Sequence, residues 1–268
     1  MNKSEMLNFL DKKFRNCNPE FLKLSQVYFE DEDGDTFRAF IQQIGKTIGA
    51  DWVEGGCSKS VFHFKEFKDY VFKIPYIGAA FIEEGDLEYY KLCAKENRVP
   101  MLFCFDDVAL YKNASNNGFY PVDANDYCAA EEYIYRIARK YKVNQMLTKT
   151  IFLGFVCDIP VYVSSCAGTP YSYSLEKQDN KTVKTARDMI DKSRKKHKNI
   201  RNEFYVTECS IFIETYGRKA TQRFIEFLYQ EKISDLHAGN YGYDALGNLK
   251  IIDYSGFHDL GVFKSFTW

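Results

Sequence analysis

Short alternating strands between residues 51 and 165, flanked by amphipathic helical patterns, predict an α+β fold. The strands change direction at tight turns, so their sheet is expected to be antiparallel. The length allows one two-lobed domain or two small domains: an antiparallel sheet with a helix over 51–165, and a mostly helical part over 166–268. Residues 1–50 form an added helical element, and 97–145 an insertion within the first lobe.

The first fifty residues place Phe9, Phe14, Phe21, Leu22 and Leu24, then Phe37, Phe40, Ile41 and Ile44, at helical spacing. The acidic run from Glu30 to Asp35 reads as a solvated turn, because it lacks the terminal Glu of an EF-hand loop. The period then changes. Trp52, Val53 and Glu54 lead to Gly55-Gly56, Ser60 to Phe64 alternate, and Tyr70 to Ile74 make a further strand. Pro75 and Gly78 are expected to end the sheet, with a helix over 80–96 carrying Phe81, Leu87, Tyr90 and Leu92.

Farther on, 101–105 reads as a strand, 113–118 as a loop and 129–141 as a helix. A hairpin is expected from 148–156 and 161–164 around a turn at Cys157, Asp158, Ile159 and Pro160. Residues 211–231 read as one long helix with Tyr216, Ala220, Phe224, Phe227 and Leu228 on its buried side.

Composition narrows the function classes. Apolar residues are 46% of the chain and aromatics 17%, which fits a packed protein rather than a disordered one. A formal charge of −1 gives no global attraction to nucleic acid or acidic lipid. The basic run 192–198 has no interleaved aromatics and reads as a solvated helix face, so a nucleic-acid partner is not expected. The eight cysteines form no C-x-x-C pair or zinc spacing, and point to reduced thiols in a cytoplasmic protein, host cytoplasm if the AT-rich composition is viral. No secretory h-region or membrane-length apolar run is present, so no membrane partner is expected.

The chemistry concentrates between Ile233 and Phe257. Asp235 and Asn240 are five residues apart, and Asp253 lies eighteen residues beyond Asp235, after two short strands and a turn at 245–248. Phosphoryl transfer needs an oriented acceptor and metal ions that neutralise the phosphate oxygens. Asp235 suits the first task. Asn240 and Asp253 offer the hard oxygens magnesium prefers, and the hairpin between them would bring both to one edge.

This stretch, with Asp-Leu-His-Ala-Gly-Asn at 235–240, resembles the catalytic loop and metal-binding aspartate of the protein-kinase-like superfamily. The variant is closer to aminoglycoside phosphotransferase, ABC1-type and phage-encoded kinase-like proteins than to ordinary serine/threonine kinases. The resemblance implies a bilobal protein-kinase-like fold that binds ATP and magnesium. By it Asp235 is the catalytic aspartate, Asn240 and Asp253 hold the metal, and His237 is an acid/base or stabilising group, or else only braces the loop. Upstream parts come in the matching order: Gly55, Gly56 and Ser58 where the glycine-rich phosphate cover lies, then Lys73 as the phosphate-pairing lysine. Glu88 stands as that lysine's ion-pair partner, with Glu84 a competitor. Ser165, with Ser164 and Cys166, would offer main-chain groups to adenine.

Three departures bear on substrate. Ser234 precedes Asp235 where many regulated kinases carry arginine, and Tyr254-Ser255 follow Asp253 in place of Phe-Gly. Fifteen residues follow Asp253, too few for the peptide platform of a typical protein kinase. The leading expectation is an atypical ATP- and magnesium-dependent kinase acting on a hydroxyl acceptor, a protein in the first instance. A small-molecule phosphotransferase of aminoglycoside or choline kinase type, and a pseudokinase serving as a binding or structural module, stay open.

Overall fold

Helices with apolar residues three and four apart, and strands with apolar residues two apart, can bury their faces only against one another. Both patterns are met in the computed structural model, which describes residues 2–30, 34–55, 58–76, 78–81, 84–100, 127–171, 179–197 and 204–254. The expected strand at 101–105, the loop at 113–118, Gly56 and Ser255 lie outside the described residues. The chain divides into two units, each with its own core: the described residues of Met1–Ala129 with Ile151–Ser164, and those of Ala130–Thr150 with Ser165–Gly261.

In the first unit α1 (Lys3–Phe14) buries Met6, Leu10 and Phe14, four residues apart, with Asn2 capping its start by accepting from Glu5 N–H. The turn of helix α2 (Pro19–Lys23) then leads to strand β1 (Val27–Glu30). Helix α3 (Asp35–Ile48) buries Phe37, Phe40, Ile41, Ile44 and Ile48 along one side. A five-stranded antiparallel sheet follows, built from β2 (Trp52–Gly55), β3 (Lys59–His63), β4 (Tyr70–Pro75), and a later pair, β6 and β7. The strand order is β2-β3-β4-β7-β6. Hairpin strands β6 (Thr150–Val156) and β7 (Ile159–Ser165) turn through Cys157 and Asp158, both at positive φ, the geometry of a two-residue hairpin loop.

Two boundaries differ from the sequence reading. The expected helix over 80–96 begins only at Leu87, as α4 (Leu87–Lys95). Before it, β5 (Gly78–Phe81) pairs in parallel with β1, Val27 opposite Gly78. That pairing draws 78–81 into an extended ladder, and it also makes 27–30 a strand within the supposed helical element. Residues 1–50 are not a separate appendage either. Phe14, Phe21, Phe40 and Ile44 share one core with Phe62, Phe72 and Ile74 of the sheet, each burial contributing about 1.5–3 kcal/mol. Helix α3 presses so closely on β2 that a Cβ on Gly45 would collide with Val53, and one on Gly55 with the Phe37 ring.

The second unit takes most of α5 (Tyr127–Tyr141), then β8 (Thr169–Pro170), α6 (Asn180–Lys196), α7 (Val206–Tyr216), α8 (Arg218–Gln230), β9 (Tyr241–Tyr243) and β10 (Leu249–Ile251). The expected single helix over 211–231 is two helices, because Gly217 at φ +83° is not helical. Its carbonyl accepts from Thr221 N–H and starts α8. Phe212, Phe224, Phe227, Leu228, Ile233 and Leu236 fill the core, and β10-β9-β8 make a small sheet against it. Among the described residues no helix is long and apolar enough to cross a membrane. Cys17, Cys93, Cys157 and Cys209 are free thiols.

Candidate active site

The loop after α8 is fixed by its apolar members. Ile233 and Leu236 are buried in the core, which leaves Asp235 half-buried and His237 exposed on the other side of the chain. Asn240 is 6% exposed and tied at three points. Its N–H donates to His237 carbonyl (2.9 Å), its carbonyl accepts from Ile252 N–H (2.8 Å), and its side-chain Nδ2 donates to Asp235 carbonyl (2.8 Å). The last bond fixes which way the amide faces: the nitrogen is engaged, so Oδ1 is the atom presented elsewhere.

The same junction brings in Asp253. Strands β9 and β10 pair antiparallel with Tyr241 opposite Ile251, which sets Asn240 across from Ile252, one residue short of Asp253. Asp253 is half-buried. The turn joining the strands is stapled by Asp244, whose Oδ1 accepts from Leu246 N–H and Asn248 N–H, both at 2.9 Å. Burial alone would raise the Asp244 carboxyl, but the Asn248 and Leu246 hydrogen bonds and Lys250 nearby hold it below the ordinary range. Among the described residues no group of three His, Cys, Asp or Glu side chains is gathered as a metal site. A carboxamide oxygen and one carboxylate are a smaller set, and they fit magnesium, which takes one or two protein oxygens plus phosphate and water.

His237 is held from one side. Its Nδ1 accepts from Gly239 N–H at 3.1 Å, so a neutral ring carries its proton on Nε2, which lies 3.8 Å from Asp235 Oδ1. That is too far for a hydrogen bond. The bracing role is therefore present in the structure, and the proton-bearing nitrogen is on the Asp235 side.

Behind Asp253 sits a layer that sequence reasoning passed over. Tyr254 is wholly buried, and its hydroxyl donates to Thr148 carbonyl at 2.7 Å. It also lies 3.3 Å from Thr150 Oγ1, which donates to Glu131 Oε2 at 2.9 Å. Burial, then the nearby Glu131, push the Tyr254 phenol far up, so it remains a donor. Thr148 N–H in turn donates to Ile251 carbonyl at 2.9 Å. Glu131, on α5, is fully buried. The only sequence cue to it was the helical period of 129–141.

In the first unit Lys73 is 4% exposed on β4, with Val61 opposite it on β3. Gly55 ends β2 beneath Phe37 and Tyr76, and Ser58 gives its carbonyl to Tyr76 N–H at 3.1 Å. Glu88 is not Lys73's partner. Its side chain is 91% exposed on α4, and the ion pair it makes is with Lys91 at 3.8 Å. The physical reason is that α4 begins late and turns Glu88 to solvent. Of Glu84 the structure describes only the backbone, in a short turn before α4. Ser165 also differs from expectation: its N–H donates to Lys149 carbonyl (3.0 Å) and its Oγ accepts from Lys149 N–H (2.8 Å). Neither group is open to adenine while the end of that hairpin stays closed.

No protein-family model matches the chain, and searches of curated proteins and of solved structures found no match.

Proposed function

We propose that this chain is an atypical kinase that transfers the γ-phosphate of ATP to a hydroxyl acceptor, a protein hydroxyl in the first instance. The observation that carries the reading is the Asn240 junction, where one buried residue ties the Asp235 loop to the strand that delivers Asp253. The five-stranded antiparallel sheet, with Lys73 buried on its third strand in sequence, supports the same reading.

In this proposal the Asp235 carboxylate orients the acceptor hydroxyl and takes its proton. The acceptor oxygen forms its bond to the γ-phosphorus as the bond to the β–γ bridging oxygen breaks, and ADP leaves. Asn240 Oδ1 and Asp253 would hold magnesium, which when bound supplies neutralisation of the phosphate oxygens. Lys73 pairs with the phosphates, and His237, braced on Gly239, offers its Nε2–H beside Asp235. The test uses purified chain, γ-labelled ATP and magnesium against host lysate. Transfer to a protein, or to itself, should be lost in Asp235→Ala and in Asp253→Asn with the fold retained. Full activity in Asp253→Asn would overturn the metal assignment, whereas wild-type turnover no higher than Asp235→Ala sinks the enzyme reading and leaves a binding module.

A further inference from the structure

Helix α6 turns its apolar residues inward, where Ala186, Met189 and Ile190 share the second unit's core with Phe212 and Phe224. All its charged side chains are exposed: seven cations against Asp188 and Asp191, in a chain whose formal charge is −1. The helix is held at both ends. Asp179 caps its start by accepting from Thr182 N–H at 3.1 Å, and at its finish Lys196 and His197 reach Glu226 of α8 at 2.6 and 3.3 Å. Elsewhere, helix cations meet acids of their own helix: Arg15 with Asp11 at 2.9 Å on α1, and Lys23 with Glu20 at 2.8 Å on α2. Asp188 and Asp191 stand one turn from Lys184, Arg187, Lys192 and Lys195, the same spacing. Among the described residues no ion pair joins any of these six side chains, and none reaches Lys181.

The order of the charges selects the partner. At 1.5 Å per residue Lys181 and Lys195 are about 21 Å apart, with the two aspartates between them on the same outer face. A phosphate backbone is negative along its whole length and would meet those aspartates as like charges. The helix has no aromatic side chain to stack a base, and with its apolar side in the core nothing is left to enter a lipid surface. A polypeptide can change sign along its length. We propose that the outer face of α6 docks an acidic segment of a partner protein. Carboxylates meet Lys181, Lys184 and Arg187 at one end and Lys192 and Lys195 at the other, and a basic residue between them meets Asp188 and Asp191. Docking here needs neither ATP nor the Asp235 carboxylate.

The test is fluorescence anisotropy of the full chain with three labelled probes of equal length. One is a peptide with glutamates at both ends and lysines at its centre, one is the same peptide in glutamate throughout, and one is single-stranded RNA. Phosphatidylserine vesicles are assayed by co-sedimentation. The mixed peptide should bind best, and less tightly as salt rises from about 0.05 to 0.2 M. Lys184→Glu with Lys195→Glu should weaken it at least about tenfold, because like charges are then brought together. Arg139→Glu with Lys140→Glu, an equal charge change at exposed positions on α5, should leave binding near wild type. The melting temperature of the α6 variant should hold, since no ion pair is lost; if that variant does not fold, Lys184→Gln with Lys195→Gln should show the weakening. Asp188→Asn with Asp191→Asn should erase the preference for the mixed peptide over the all-glutamate one, and Asp235→Ala should bind as wild type does. Tighter binding to RNA or vesicles than to the mixed peptide overturns the proposal. So do equal losses in the α5 and α6 variants, or a wild-type chain that shows no saturable peptide binding.

Discussion

The side-chain amide of Asn240 donates to the main-chain carbonyl of Asp235 at 2.8 Å, so the proposed metal ligand and the proposed catalytic residue are set by one bond. Asn240→Asp keeps the shape but replaces that donor with an acceptor facing a carbonyl. Misplacing a reacting group by an ångström costs about a hundredfold, and magnesium-dependent turnover in this variant should fall by about that much. Stability should drop by about 1–3 kcal/mol, measured by denaturant unfolding. Unchanged turnover would mean that the loop is not oriented through this bond.

His237 separates bracing from proton transfer by which nitrogen is imitated. Asparagine can place an acceptor where Nδ1 sits, whereas glutamine reaches toward Nε2. With Nδ1 accepting from Gly239 N–H, His237→Asn should retain most activity and His237→Gln should lose about tenfold, the worth of one hydrogen bond. The reverse order in a steady-state assay would assign the residue to hydrogen-bond donation from Nε2, and a large loss in both variants would assign it to proton transfer.

Gly242 is a packing constraint. A Cβ there would overlap the main-chain carbonyl of Ala167, which has no side chain to swing aside. Gly242 pairs with Lys250 on one side and Pro170 on the other, so neither neighbour can give way easily. Gly242→Ala should cost about 2 kcal/mol or more in denaturant unfolding, with β8 released from β9.

Tyr254→Phe keeps the buried ring and removes the hydroxyl's bond to Thr148 carbonyl and its longer contact with Thr150 Oγ1. The expected loss is about 1–3 kcal/mol, from a buried carbonyl deprived of a donor. Turnover per folded molecule should change much less than in Asp253→Asn. Equal losses in the two variants would show that the hydroxyl acts on the metal ligand itself.

Glu208 gives the pH test. It is 4% exposed, its Oε1 accepts from Tyr171 hydroxyl at 3.0 Å, and its Oε2 is buried without a hydrogen-bond partner. Burial raises its carboxyl above the usual range, against smaller opposing bonds from its own main chain and Tyr171. The folded state thus holds the proton more tightly than the unfolded one. Its contribution is most favourable below the unfolded pKa and is lost as pH rises through the folded value. Glu208→Gln removes that dependence. It should melt roughly 2–4 °C higher than wild type at pH 8, equivalent to about 1 kcal/mol, and level with it at pH 4. A difference that does not change with pH would contradict this.

What the sequence revealed depended on how far apart the cooperating residues were. Asp235, Asn240 and Asp253 sit in one loop and one hairpin, so their spacing carried their proximity. The alternation of 60–64 and 70–74 likewise carried the sheet and Lys73. Glu88 follows Lys73 in the chain at the distance a partner would, but α4 turns it to water. Glu131 is buried behind Thr150 and Tyr254, contacts made 19 and more than 100 residues away in sequence, and no local period announces them. Residues 211–231 kept one apolar period through Gly217, so a break made by a single backbone angle left no trace in the pattern.

The contacts of Gly45 with Val53 and of Gly55 with Phe37 couple the histories of those positions. A side chain gained at 45 is admissible only if 53 shrinks, and one gained at 55 only if the ring at 37 is lost. Among descendants of this chain, α3 and the segment opening at Gly55 should drift together, as matched pairs of substitutions. A single change at either glycine would be purged before its partner arose.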